Sequence, residues 1–168
     1  MGGVTVNRLL SRHDKVALSG LIRLTARDRI THEIVDVVEA RNLIVTAGKN
    51  LIANMLVDTS GYDTGITYCA LGTNTTAPAI TDTQLGTETS RLEIAANGSR
   101  TVATNVITFS TFFLAAQCSI FLKEVGLFGH STASATANSG VLLAHGQISY
   151  DNQAGNYDLT IDWLVTVS

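Results

Sequence analysis

From Val16 onward the chain reads mainly as short runs of alternating or continuous apolar residues separated by turn residues, a pattern of strands. Val16–Leu24 forms the first run, with Gly20 marking a possible bulge. Arg27-Asp28-Arg29 is a polar turn, and Glu33–Ala40 is a β-branched return with spaced acids, so a hairpin is predicted. Asn42–Thr46 continues extended. One helix follows near residues 48–57: Thr46 is placed to cap it, Leu51, Ile52, Met55 and Leu56 make one apolar stripe, and Asp58-Thr59-Ser60-Gly61 ends it.

Everything beyond is β-like. Ile66–Leu71 is a short buried strand, and Asn74–Gly86 is a loop holding the only proline, Pro78. Leu92–Ala95 is predicted to pair with Thr101–Ala103 across the turn dipeptide Asn97-Gly98. Asn105–Leu114 alternates, Ile120–Leu122 runs into Val125–Phe128, and Ser131–Gly140 is a small polar loop before Val141–Ala144. In Tyr157–Val167, Leu159, Ile161, Trp163, Val165 and Val167 share one face; Asp158, Thr160, Asp162 and Thr166 share the other. The predicted fold is mainly β: an antiparallel β-sandwich or jelly roll with one short helix and an extended N-terminal arm. Residues 1–15 are the arm and residues 16–168 a single domain.

A 45% hydrophobic content suffices for a core, and 15% charged residues is low for a soluble chain, suggesting surface covered by a partner. No apolar run approaches the roughly 18 residues of a membrane helix, so no membrane partner is expected. Met1–Val6 lacks the charged start and apolar block of an export signal. Charge is uneven. Residues 1–50 balance at +3 and residues 51–168 at -6. The basic half includes Arg8, Arg12 and Lys15, but its acids and lack of interleaved aromatics argue against nucleic acid. Docking of this arm on an acidic neighbouring subunit is the functional alternative to an ordinary solvated face.

Little in the chain points to catalysis. Cys69 and Cys118 lie in separate apolar runs and read as buried thiols, with a single disulfide left open. His13, His32, His130 and His145 have no ligand-like spacing; His130 and His145 alone could meet in space, and no metal or other cofactor is expected. Asp158 and Asp162 fall roughly 13 Å apart on one strand face, too far for a glycosidase pair, and read as surface acids. No catalytic residue is nominated, and an enzyme is not expected. Glu124 is the exception to the bland pattern, since it is embedded in an apolar strand and a carboxylate there needs partners. It is expected to contact Arg91 or the backbone amides of the Thr73–Leu85 loop, pinning that loop; the alternative is that it faces solvent.

The segments Gly72-Thr73-Asn74 to Pro78, Thr83-x-Leu85-x-x-Glu88-x-x-Arg91 and Glu124-Val125-Gly126-Leu127-Phe128 resemble a pattern of bacteriophage virion proteins. It occurs in tail-fibre and collar domains and in capsid decoration proteins. Asn74 stands where that pattern often has glycine. The resemblance runs from Asn42 to the C-terminus and includes the segment Asn42–Gly48 before the helix. It implies a non-enzymatic structural protein of the virion, assembled in the host cytoplasm. The first expectation is a capsid decoration (cement) protein that bridges capsid subunits as a homo-oligomer, in the form of a trimer, with the major capsid protein as partner. The alternative is a tail-fibre, collar or baseplate component with tail proteins as partners. A third is a carbohydrate-binding host-surface adhesin, for which Tyr62, Tyr68, Tyr150 and Tyr157 are the available platforms.

Overall fold

The computed structural model describes residues 16–168; the expected arm, with Arg8, Arg12, His13 and Lys15, lies outside the described residues. The chain runs β1 (Leu18–Asp28), β2 (Ile34–Ile44), α1 (Thr46–Leu56), β3 (Ile66–Gly72), β4 (Glu88–Glu93), the one-turn α2 (Ile94–Asn97), β5 (Gly98–Ala103), β6 (Val106–Phe113), β7 (Phe121–Gly129), β8 (Val141–Asp151) and β9 (Tyr157–Val167). The nine strands form one continuous, curled sheet in the order β4-β3-β7-β8-β2-β1-β9-β6-β5. Every pairing is antiparallel.

The first hairpin follows from local sequence. Leu24 faces Val38 across β1 and β2, and alternate β1 residues Ile22, Leu24 and Ala26 point into the core. The Asp28 carboxylate makes the turn, accepting the amide N–H groups of Ile30 (2.8 Å) and Thr31 (2.9 Å). The irregularity in this ladder falls at Ala26/Arg27, not at Gly20. Gly20 instead leaves room for the Asn42 side chain, which a Cβ there would meet.

Strand β2 is where the sheet changes direction. It pairs with β1 from Ile34 to Arg41 but with β8 only from Asn42 to Ile44. Gly146 permits this crossing, because a Cβ there would collide with Ile22 of β1. At the other end, the sheet's two edge strands β4 and β5 are consecutive in the chain, joined by α2 alone. The curl thus brings its own edges together, and Arg100 of β5 donates to the Ile66 carbonyl of β3 (3.1 Å).

Two local expectations are corrected here. The hairpin across Asn97-Gly98 does not form: β5 pairs with β6, from Gly98↔Thr111 to Ala103↔Val106. The four residues Ile94–Asn97 make a helical turn that buries Ile94, and Gly98 is extended (φ 176°) rather than in a turn conformation. Thr46 is the first residue of α1 rather than its cap; Val45 occupies the cap position without a side-chain bond. The helix start is held instead by the Thr46 amide donating to the Ile80 carbonyl (2.9 Å).

Inside the curl, Leu159, Ile161, Trp163 and Val165 of β9 meet Cys69, Leu71, Leu122, Val125 and Leu127 in one apolar cluster. Cys69, Thr111 and Trp163 come together at its centre from β3, β6 and β9, and burial pushes the Cys69 thiol up to about 12. Both cysteines are free and buried, so the disulfide left open by the sequence is absent.

Candidate functional site

The outer face of β3, β7 and β8 is covered rather than wet. In β7, residues Glu124–Gly129 are buried on both faces, as are Leu142–Gly146 of β8. The cover consists of the chain between β3 and β4, residues 73–87, and the chain between β7 and β8, residues 130–140. Leu85 is the apolar plug of this cover, packed with Phe128, Leu142, Val45 and Ala70 in a second small core.

Polar side chains buried beneath the cover fix it in place. Glu124 is 1% exposed. Its Oε1 accepts the amide N–H groups of Thr87 (2.7 Å) and Asn74 (3.2 Å); its Oε2 accepts that of Gly86 (3.0 Å) and meets His145 Nε2 (3.0 Å). A carboxylate offers about four acceptor positions, and all four are used. Gly72 and Gly86 allow the close approach, since a Cβ at either would run into Glu124 or Asn74. The other His145 nitrogen, Nδ1, meets Asp82 Oδ2 (2.8 Å), and that same oxygen accepts the Ala79 amide (2.8 Å). His145 thus bridges the carboxylates of Glu124 and Asp82.

The second cover segment is held by Arg91. Its guanidinium binds Glu88 with two parallel bonds (2.7 and 3.0 Å), both side chains being 2% exposed. It lies over the Phe128 ring at 4.1 Å and donates to the Ser139 carbonyl (2.8 Å) and the Ser134 carbonyl (3.2 Å). Glu88 Oε2 also accepts the Asn138 amide (2.8 Å), and Asn138 Oδ1 accepts the Leu85 amide (3.0 Å), so the two cover segments are tied to each other.

Of the amides on Glu124, that of Asn74 lies in the expected Thr73–Leu85 loop and those of Gly86 and Thr87 just beyond it, while Arg91 takes Glu88 and not Glu124. The reason is a bulge. Gly72 pairs with Glu88 and Leu71 with Ser90, leaving Thr89 as an extra residue. Glu88 and Arg91, three apart, would point to opposite faces of a regular strand; the extra residue puts them on the same face. The sequence reading gave Glu88, Asp82, His145 and Asn138 no part in fastening the loop, although Glu88 stands in the resemblance motif and His145 was weighed only against His130. The i,i+3 acid–base spacing of Glu88 and Arg91 was the one available signal, and it is ambiguous in a strand.

Other expected sites are placed differently. Asp158 is no surface acid: it is buried and accepts the Ala115 amide (2.7 Å). His130 and His145 have separate partners, with His130 edge-on to Tyr62 and bonded to Thr132. Tyr62, Tyr68, Tyr150 and Tyr157 are all half-buried; Tyr150 and Tyr157 pack edge-on against each other. Asp82, Glu124 and His145 line a cavity of about 350 Å³ together with Asn74, Thr81 and Gln84. Among the described residues no three histidine, cysteine or acidic side chains are placed to hold a metal ion, and no helix is long and apolar enough to cross a membrane.

Comparison with family models, curated proteins and solved structures finds no match to this chain. What the site can do follows from its chemistry alone. A carboxylate with every acceptor position filled is a poor base or nucleophile, and an arginine in two parallel bonds is a clamp. The arrangement holds two connecting segments rigidly on a sheet.

Proposed function

We propose that the chain is a non-enzymatic structural protein of a bacteriophage virion, a capsid decoration (cement) protein that binds the major capsid protein as a homotrimer and bridges neighbouring subunits. In this reading the curled sheet serves as a sandwich or jelly-roll body, and its pinned connections are the presented surface. The observation that carries the proposal is the use of the resemblance motif itself. Gly72, Leu85, Gly86, Glu88, Arg91, Glu124 and Phe128 all serve to fasten the two cover segments. A pattern whose polar and glycine members fasten surface segments suits a part that works by contact, adding buried interface to an assembly so that stability rises with occupancy.

The test is co-sedimentation of the purified chain with emptied phage heads and with isolated tails. Pelleting with heads, together with a higher melting temperature of the heads, is the expected result. Pelleting with tails alone moves the protein to the fibre, collar or baseplate class. Binding to neither overturns the virion reading.

A further inference from the structure

The free end of the β1–β2 hairpin gathers four of the exposed large apolar residues of the described chain. Ile30 is 77% exposed, Ile34 54%, and Val35 and Val37 each 48%. Along Ile34–Arg41, β2 is paired on one side only among the described residues, because β8 joins it from Asn42 onward. The Val37 amide is met by the carboxylate of its own neighbour, Asp36 (2.8 Å), rather than by another strand. A long, β-branched edge with open backbone groups is a template for a further strand.

We propose that this edge takes residues 1–15 of a second copy of the chain as an added strand. Charge selects the occupant. Residues 33–40 carry Glu33, Asp36 and Glu39 and no lysine or arginine, whereas residues 1–15 carry Arg8, Arg12 and Lys15 against Asp14 alone. Glu39 already meets Arg23 (2.8 Å), which leaves Glu33 and Asp36 without a cationic partner among the described residues. The β-branched residues Val4, Thr5 and Val6 have the propensity of a strand. Of the sheet's two end strands, β5 carries Arg100 and no acid and so repels the same segment, while in β4 Glu88 and Arg91 already pair with each other.

Geometry selects a second copy. Leu21 pairs with Arg41, so the chain enters β1 beside the end of β2 where β8 already occupies the edge. To reach its own β2 the segment would have to cross β8 and then run parallel to β2. A neighbour's segment meets no such barrier and can add antiparallel, the slightly stronger pairing. Fifteen extended residues span up to roughly 50 Å, ample for a free stretch of about 27 Å at strand rise. Arms passed from each copy to the next close into a ring or a reciprocal pair. This deepens the proposed function by naming the contact that builds the oligomer, and it rests on that reading only for the use of the oligomer.

The experiment uses two full-length chains, one with Arg8→Cys and one with Val35→Cys, mixed under mild oxidation and analysed by mass spectrometry. The native thiols do not compete: burial pushes Cys69 up to about 12 and Cys118 up to about 11. The expected result is a disulfide joining one chain of each kind. Light scattering of the unmodified chain is expected to give a multiple of 17.8 kDa, falling to that single mass when Asp36→Lys places a cation on the edge with the circular dichroism unchanged. No link between chains, or a multimer indifferent to Asp36→Lys, overturns the proposal. So does a link that forms only within a chain bearing both cysteines. An arm-linked multimer that pellets with neither heads nor tails overturns the virion reading and leaves this contact standing.

Discussion

The β1–β2 hairpin and the covered face of β3, β7 and β8 are both antiparallel ladders, and each contains an acid–base pair, yet the two regions are held by different physics. In the hairpin, Arg23 and Glu39 meet at 2.8 Å with their side chains 47% and 46% exposed. Under the cover, Arg91 and Glu88 meet at 2.7 Å with only 2% of either exposed. Water already solvates the first pair, so the contact adds little. The second pair has left water, and each partner depends on the other to offset its desolvation. The hairpin is consequently a device tolerant of substitution, free to be shaped by what docks on it. The cover tolerates almost none, because its polar groups form one connected set from Asp82 through His145 and Glu124, and another from Arg91 through Glu88 to Leu85.

The sharpest way to break the contrast is Glu124→Ala. The three amides of Asn74, Gly86 and Thr87 then lose their acceptor, and His145 loses one partner. By analogy with removing one member of a buried charged pair, a loss of about 3–5 kcal/mol is expected in denaturant unfolding. Amide hydrogen exchange at Gly86 and Thr87 should rise with it while Leu24 of the hairpin core stays protected. Equal acceleration at both places would mean that the cover is not a separately fastened layer.

Next in size is Arg91→Ala, which strands Glu88 and removes the cation from the Phe128 ring. The expected cost is again about 3–5 kcal/mol, but replacing both partners, Glu88→Leu with Arg91→Met, should recover a large part of it. That recovery separates a buried pair from a packing defect, since a defect would be worsened by the second change.

How much of this was legible beforehand follows the same division. The hairpin could be read because its information is local: β-branched residues, spaced acids and the turn at Asp28 all lie within some thirty residues. The alternation of Leu159, Ile161, Trp163 and Val165 likewise announced a buried face of β9. The pinning of the loop by Glu124 was legible for another reason, as an ionisable group in an apolar run demands partners. The partners themselves were not. His145 comes from a strand 21 residues away, and whether its ring meets an acid depends on register between β7 and β8. Glu88 and Arg91 required the Thr89 bulge, which no periodicity displays. Asn97-Gly98 misled because a turn-forming dipeptide reports only what the backbone can do; burial of Ile94 and the need to cross from one sheet edge to the other decided the outcome.

In the hairpin, Glu39→Ala should cost only about 0.2–1 kcal/mol, the range of exposed pairs, and less at high salt. A loss near that of Arg91→Ala would show that the surface pair is shielded, as it would be if another strand lay across it, and would therefore sharpen the case for an occupied β2 edge.

The smallest effect concerns the hairpin turn and acid. The Asp28 carboxyl sits below its ordinary value of 3.8, chiefly because the amides of Thr31 and Ile30 donate to it, with Arg29 adding a minor attraction. The folded chain thus keeps Asp28 ionised to lower pH than the unfolded chain does. Its contribution to stability is complete above the unfolded value and is lost as the pH falls through the folded one. The group is solvent-exposed, so the effect is expected to be local. Amide exchange at Ile30 and Thr31, corrected for intrinsic pH dependence, should lose protection below pH 3.8, and Asp28→Asn should remove that pH dependence. Retained pH dependence in Asp28→Asn would show that the acid response does not arise from this turn.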